Sequence, residues 1–490
     1  MLFVFFVGCS HVPIEKRFQE LQSDVDARTG QHIEWVNVSS DEREVIDEVK
    51  QMLQGELSSE EAVCIALLNN RRLQAIYGEY GIALTDLVQA GLPTNPVAEI
   101  LVQFQEDSEF DLRAWEITVM QDFLDMLLIP LRRKLATAEF ERARLHVIGE
   151  VVDLVTDTRI AYYRLQTAQQ NLDLSRSVLL SYEASTEMAH RLQQAGNVTE
   201  GTALTERSDY EYAKLETAAA EKMVAEQRES LNKLMGLWGS NADWTVGESL
   251  PPVPEDDVNL DDVEQRAVDA SIDLAKAWTK IEQVARRNRI KAIETVIPEL
   301  SIGAEFDRET EIETEIGENA AGEPELNRSK GPDLWWRGPA VAIAIPIFDQ
   351  GHPARTRKAL AVRQAWDEFT AMAVEIRAEA RLTRYRYQYH RDVANYYDDV
   401  IVPVQQRLRA LTQLQYNAMF LGVFQLIETK REELDSERRY TESLRDYWIA
   451  RARLDQLLMG RVPNDVGRAG DSMDGREPEM ASVNRKQETH

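Results

Sequence analysis

The chain has two cysteines in 490 residues, Cys9 and Cys64. That is too few for a disulfide framework. The seven histidines (His11, His32, His146, His190, His352, His390 and His490) are scattered, and no pair has metal-ligand spacing. There is no Gly-rich phosphate loop, zinc motif or nucleophile elbow. The residues therefore support neither an enzyme nor a cofactor. Cations are short too: 56 Lys and Arg stand against 84 Asp and Glu, a net charge of −28. This argues against a nucleic-acid partner and against a polybasic membrane surface. No run of 18 apolar residues occurs, so no transmembrane helix is expected. A membrane β-barrel stays open, because its strands are short and alternate.

What the chain does have is a large internal repeat. Residues 188–236 and 411–459 align without a gap at an offset of 223 residues, with Leu231 on Leu454 and Leu234 on Leu457. A repeat of this size means two copies of one architectural unit. The first unit opens at Ser58 or Ser59, where Glu60 and Glu61 follow as in a helix N-cap. One helix is expected from there to about Ala90. The period then changes to two: Ile100, Val102 and Phe104, then Trp115, Ile117 and Val119, alternate with polar residues and read as a hairpin. In the second unit a helix over 261–296 leads to Leu300, Ile302, Ala304 and Phe306, and later to Val341, Ile343, Ile345 and Ile347. The acidic stretch 307–334 between them reads as a loop.

Each hairpin leads into a very long helix. Leu145, Ile148, Val152, Val155 and Tyr162 keep heptad spacing, as do Val362, Trp366, Phe369, Ala373, Ile376 and Ala380. That spacing makes a left-handed coiled-coil seam. A proline-free run from Pro130 to Ala195 gives a rod of roughly 100 Å; from Pro353 to Met419 only Pro403 interrupts. Each rod reverses at a short turn and returns as a second helix. Four strands cannot close a membrane barrel, and open edges are forbidden in lipid. The strands must pair with other copies or with another sheet.

The segments 57–96, 161–172, 191–200, 345–351 and 411–458, in this order and spacing, resemble the outer-membrane efflux protein family, the TolC-like exit ducts of tripartite pumps. They include LSSEEAVCIALLNNRRLQAIYGEYG, AYYRLQTAQQNL, RLQQAGNVTE and IPIFDQG. The resemblance covers about 57–460. The expected fold is mainly α with a small β part: long coiled-coil helical hairpins in two tandem repeats, each with a β-hairpin. It implies a homotrimer with a 12-stranded β-barrel in the outer membrane of a Gram-negative bacterium and a periplasmic α-helical tunnel. The partners it implies are a periplasmic adaptor (membrane fusion) protein, an inner-membrane pump and outer-membrane lipid. The function it implies is passive export of small molecules or metal ions. A type I secretion duct shares this pattern. A soluble elongated coiled-coil scaffold would explain the heptads but not two hairpins at matching points.

The domain boundaries follow: 1–8 a truncated lipoprotein signal, 9–56 a partly helical lead-in, 57–236 the first repeat, 237–260 a Pro-rich linker, 261–460 the second repeat, and 461–490 a disordered tail. MLFVFFVGCS resembles the end of a lipoprotein signal peptide, with Cys9 as the lipidated residue; the other reading is an ordinary apolar start or a cleaved non-lipid signal. Cys64, among Val63, Ile65, Ala66 and Leu67, reads as a buried core thiol.

The resemblance also assigns sites. It places adaptor-docking tips at Arg191, Leu192, Gly196, Asn197 and Val198, and at Met419, Phe420, Leu421 and Gly422. Met419 stands where relatives carry glycine, which bears on the shape of that turn. Gln425 and Glu428 fall on the positions that line the periplasmic aperture, both on one helix face by their i, i+3 spacing, with Gln425 standing where relatives carry an acid; the other reading is a solvated helix face. A ring of Glu428 carboxylates would favour cations. Trp115, Trp335 and Trp336, near the hairpin ends, read as membrane-interface aromatics or as ordinary strand packing.

Overall fold

The computed structural model describes residues 12–36, 38, 42–104, 112–247, 249–255, 258–296, 300–318, 324–343 and 352–463. Cys9, the segment 345–351 and most of the C-terminal tail lie outside them. The lead-in forms two helices, α1 (Ile14–Thr29) and α2 (Glu42–Met52). Next come α3 (Ser59–Asn69) and α4 (Arg71–Gln89). Strands β1 (Val97–Phe104) and β2 (Leu112–Asp122) precede the 72-residue α5 (Phe123–Gln194) and then α6 (Glu200–Met235). The second half runs α7 (Val263–Ala270), α8 (Ile272–Val296), β3 (Leu300–Glu318), β4 (Pro324–Ile343) and α9 (His352–Tyr396). A π-helical turn (Tyr397–Ile401), α10 (Val402–Asn417) and α11 (Val423–Leu458) complete it. The mainly α reading with a small β part is borne out. Among the described residues no helix is long and apolar enough to cross a membrane.

The single helix expected over about 58–90 is two. Ser58 caps α3 in a box with Glu61, as its sequence suggests. At Asn70 the backbone turns extended, and the Asn70 side-chain oxygen accepts from the amides of Arg72 (2.9 Å) and Leu73 (3.1 Å) to restart the helix as α4. Its amide nitrogen donates to the carbonyl of Leu234 (2.8 Å), while Asn69 donates to Met235 (3.0 Å) and Gly236 (2.9 Å). The break thus carries two asparagines that tie down the end of α6. Likewise α7 and α8 part at an extended Ser271.

Pro130 sits inside α5, which begins seven residues before it. Pro403 follows the π-helical turn. A proline cannot donate to the residue four back and clashes with its carbonyl; widening the preceding turn to i→i−5 bonds, as from the Val402 amide to Tyr397, removes the conflict.

The chain divides into two compact units. The first joins Met1–Leu154, Asn232–Thr245 and Ile272–Val374. Its interior holds Phe18, Trp35 and Tyr77, with the Phe18 and Tyr77 rings 5.2 Å apart and edge-on. Cys64 is half-buried rather than enclosed, with Sγ 3.8 Å from the Gln31 side-chain oxygen, and burial pushes its thiol pKa up. The second unit joins Val155–Leu231, Val246–Ser271 and Glu375–His490. Here Tyr387 and Tyr447 are both buried, and Trp448 stacks on Tyr163 at 5.4 Å while donating to the Pro251 carbonyl. The first heptad series is buried throughout; the second is buried at Ile376 and Ala380 and continues through Tyr387 and Ala394.

The first unit carries an antiparallel sheet in the order β1-β2-β3-β4. β3 and β4 run 19 and 20 residues, through the stretch expected to be a loop. The alternation was present but its polar half was all acid: Glu309, Glu311, Glu313 and Glu315 interleave with Thr310, Ile312, Thr314 and Ile316. β-branched residues at every second position suit a strand whatever stands between them.

Candidate functional site: two helix tips, an arginine tie and a two-faced sheet

Register gives the sheet two chemically distinct faces. On one lie Ile100, Ile117 and Phe306, with Val102, Val119, Ile302 and Val341; all but Ile117 are exposed, Ile100 and Val341 by more than half. On the other lie Glu99, Glu116, Glu305, Asp307 and Glu309. Trp115 and Trp335 share the apolar face, edge-on with centroids 5.8 Å apart, and Arg308 lies over Trp335 while bonding Asp333 at 2.7 Å. Trp336 pairs with Asp307 and so lies on the carboxylate face, apart from the other two. Both outer strands, β1 and β4, present unpaired edges among the described residues.

In the second unit, α5 ends and α6 begins around Gly196, whose φ is +74°. The Asn197 amide donates to Leu192 (2.8 Å) and the Gly196 amide to Gln193 (2.9 Å), a Schellman closure. Arg191 is held by Glu187 on its own helix at 2.7 Å, and both are well exposed. The second turn repeats this bond for bond. Phe420 donates to Gln415 (2.9 Å), Met419 donates to Tyr416 (2.9 Å), and Met419 has φ +62°. The turn therefore keeps its shape without glycine, and Met419 bears the left-handed strain, about 1–2 kcal/mol. Met419 and Phe420 are 93% and 81% exposed. Leu192, Val198 and Leu421 are half-buried, and Gly422 begins α11 in extended conformation.

Relieving that strain is measurable. Met419→Gly should stabilise the turn by about 0.5–1 kcal/mol after allowing for glycine's greater freedom when unfolded. Amide exchange at Phe420 should slow about threefold. Unchanged or faster exchange would mean that Met419 gains from contacts as much as its backbone loses.

Gln425 and Glu428 are both exposed near the start of α11. Glu428 accepts from Arg431 at 3.3 Å, one turn on. Arg431 is a residue the sequence reading missed. Its side chain is 12% exposed, its guanidinium carbon lies 3.4 Å from the Tyr182 ring centroid on α5, and it stands 3.7 Å from the Glu206 carboxylate on α6. Glu206 also accepts from Ser185. Arg431 Nε and Nη2 are buried without hydrogen-bond partners. The guanidinium is thus held by ring stacking and two carboxylates at charge distance rather than by short bonds. Burial raises the Tyr182 pKa, and Arg431 opposes that rise. Close by, Glu433 is almost wholly buried between Arg409 of α10 (3.2 Å) and Lys430 (2.9 Å). An i, i+3 arginine after Glu428 was visible in the sequence. In a helix as charged as α11 it could not be told from a solvated pair.

No family model matches the chain. The toluene efflux pump outer membrane protein TtgF of Pseudomonas putida is 27% identical over 142 residues, 29% of this chain and 28% of that protein. The matched region thus spans under a third of that relative. The CmeC outer membrane channel of Campylobacter jejuni superposes with a TM-score of 0.61 at 14% identity, covering 82% of this chain and 85% of that one. The open state of the MtrE outer membrane channel of Neisseria gonorrhoeae gives 0.60 at 15%, covering 82% and 89%. The fold is that of these outer-membrane channels. The resemblance to outer-membrane efflux proteins read in the sequence is borne out.

Proposed function

We propose that the protein is the outer-membrane exit duct of a tripartite efflux pump, a passive channel for small molecules or metal ions. The observation that carries this is the superposition on outer-membrane channels over 82% of the chain. The sheet supports it independently. A four-stranded sheet with an apolar outer face and two free edges is unstable alone in lipid, and three copies would supply 12 strands and close it. The apolar face then meets lipid and the carboxylate face meets water. Trp115 and Trp335 stand on the lipid side, where aromatic residues anchor the interface. Cys9 would add a lipid anchor.

In this reading the turns at Gly196 and Met419 are the periplasmic ends that a pump's adaptor meets. Exposed Met419 and Phe420 suit a partner surface. Gln425 and Glu428 face the narrow end of the tunnel, and Arg431 ties that stretch of α11 to α5 and α6. Three Glu428 carboxylates around one axis favour cations, less so because each has an arginine neighbour.

Purified protein in a planar bilayer tests both levels. Discrete, cation-preferring conductance is expected, and Glu428→Gln should lower the preference with little change in stability. Unchanged selectivity would remove Glu428 from the aperture. A non-conducting, water-soluble rod would leave the coiled-coil scaffold as the better reading.

A further inference from the structure

One band of the first unit runs against the net charge of −28. Segments 129–134 of α5, 286–291 of α8 and 355–358 of α9 carry ten Arg and Lys and no Asp or Glu. All three segments belong to the unit that holds the sheet. Two bonds put them at one height. Arg286 donates to the Lys134 carbonyl (2.6 Å), and Asn288 donates to the Lys358 carbonyl (3.2 Å). α8 runs toward the sheet, whereas α5 and α9 run away from it. Counted from those bonds at about 1.5 Å per residue, the cations fall within a band about 8 Å tall. Three of them are paired: Arg132 with Asp125 (2.7 Å), Arg286 with Glu282 (2.8 Å) and Arg287 with Glu139 (3.0 Å). The other seven have no ion-pair partner among the described residues, and Arg133, Lys134, Arg289, Lys291, Arg355 and Arg357 are exposed. Like charges this close repel, so the band suits anions from outside the chain.

The start of α5 gives the side from which those anions come. Its exposed stripe runs Phe123, Met126, Leu127, Pro130, then Arg133 and Lys134, in steps of three and four. One helix face is thus apolar for two turns and cationic in the next. The opposite face, Leu124 and Leu128, is buried on Ile290 of α8 beside Leu300 of β3. The apolar turns continue the sheet: Phe123 lies four residues past Val119, in step with the alternation of the apolar face. An apolar stretch that ends in unpaired Arg and Lys is the pattern of a segment leaving a bilayer, its cations reaching the phosphates. The dimensions agree. Eight residues of strand from Trp115 to Phe123, tilted by about 40°, span about 20 Å. Two helical turns to Pro130 add about 10 Å, and the sum matches a hydrocarbon core of about 30 Å.

We propose that the basic band binds the phosphate headgroups of anionic phospholipids where the duct leaves the membrane on its helical side. This rests on the duct reading and deepens it by naming a lipid class and the residues that select it. Held there, the headgroups fix the depth at which the sheet sits.

Spin-labelled lipids test this on the full-length protein. It is reconstituted into phosphatidylcholine vesicles holding a trace of chain-labelled phosphatidylglycerol or chain-labelled phosphatidylcholine. Electron paramagnetic resonance then measures the share of each label slowed at the protein surface. Phosphatidylglycerol should be preferred about two- to threefold at low salt, and strong salt should erase the preference. Combining Arg133→Gln, Lys134→Gln, Arg289→Gln and Lys291→Gln should bring the ratio to about one. The smaller change on α9, Arg355→Gln with Arg357→Gln, should lower it part of the way. Slowed lipid without preference in the parent would overturn the band and leave the duct reading standing. A preference that survives all the glutamines would do the same. No slowed lipid of either kind would overturn both. If the glutamines shift the ion preference of the conductance and leave the lipid ratio unchanged, the cations line the tunnel and the lipid site falls.

Discussion

Replacing Arg431 by methionine should destabilise the helical tip by about 2–4 kcal/mol and, in the proposed duct, raise the leak. Methionine keeps most of the volume but removes the stack on Tyr182, worth about 1–2 kcal/mol when desolvated. It also leaves Glu206, 16% exposed, without its cation. Removing one partner of a buried pair costs several kcal/mol because the other charge stays behind; the partial exposure here lowers that figure. Arg431→Lys should recover the charge but not the planar stacking, and so fall between. Urea denaturation followed by helical signal checks the stability, and bilayer recording checks the leak. There is a sign check on pH. Arg431 is the influence that lowers the Tyr182 pKa against burial, so the phenol should titrate at higher pH in Arg431→Met. A variant with parental stability, conductance and Tyr182 titration would reduce Arg431 to a bystander.

Gly303→Ala should have the larger structural effect. Gly303 pairs with Met120 in the ladder between β2 and β3. A β-carbon there would fall well inside van der Waals contact of the Val119 carbonyl oxygen and 2.5 Å from Met120 Sδ. The sulfur can move, but the backbone oxygen cannot without opening the ladder. That ladder joins two hairpins about 180 residues apart in sequence into one sheet. A loss of more than about 3 kcal/mol is expected, at the upper end of single substitutions. It should appear as loss of heat-resistant oligomer on gels. Gly338→Ala is the control, since a β-carbon at Gly338 meets nothing within 4 Å. If both alanine variants assemble normally, the close approach of β2 and β3 does not hold in the assembled protein.

Much of this was legible in the chain. The offset of 223 between the returning helices matches Gly196 to Met419, and the structure gives those two residues the same left-handed backbone. Strand positions were readable wherever the polar half of the alternation was mixed. Where it was entirely glutamate, composition outweighed period and β3 looked like a loop. The breaks at Asn70 and Ser271 were hidden for another reason. They need no proline or glycine, because a side chain or an extended residue ends one helix while the next begins. Arg431 depended on what the sequence cannot show locally: Tyr182 and Glu206 lie more than 200 residues away along the chain.

The matched turns have a consequence for any partner that approaches them. Their backbones are alike, but one offers Gly-Asn and the other Met-Phe-Leu. A ring of three copies would present six ends of one shape in two alternating chemistries. A partner reading only shape would see sixfold symmetry and could seat six equivalent subunits. One reading side chains would see threefold symmetry, and its six subunits would fall into two classes of unequal affinity. Partial occupancy at limiting partner would then stop at three per duct before filling to six.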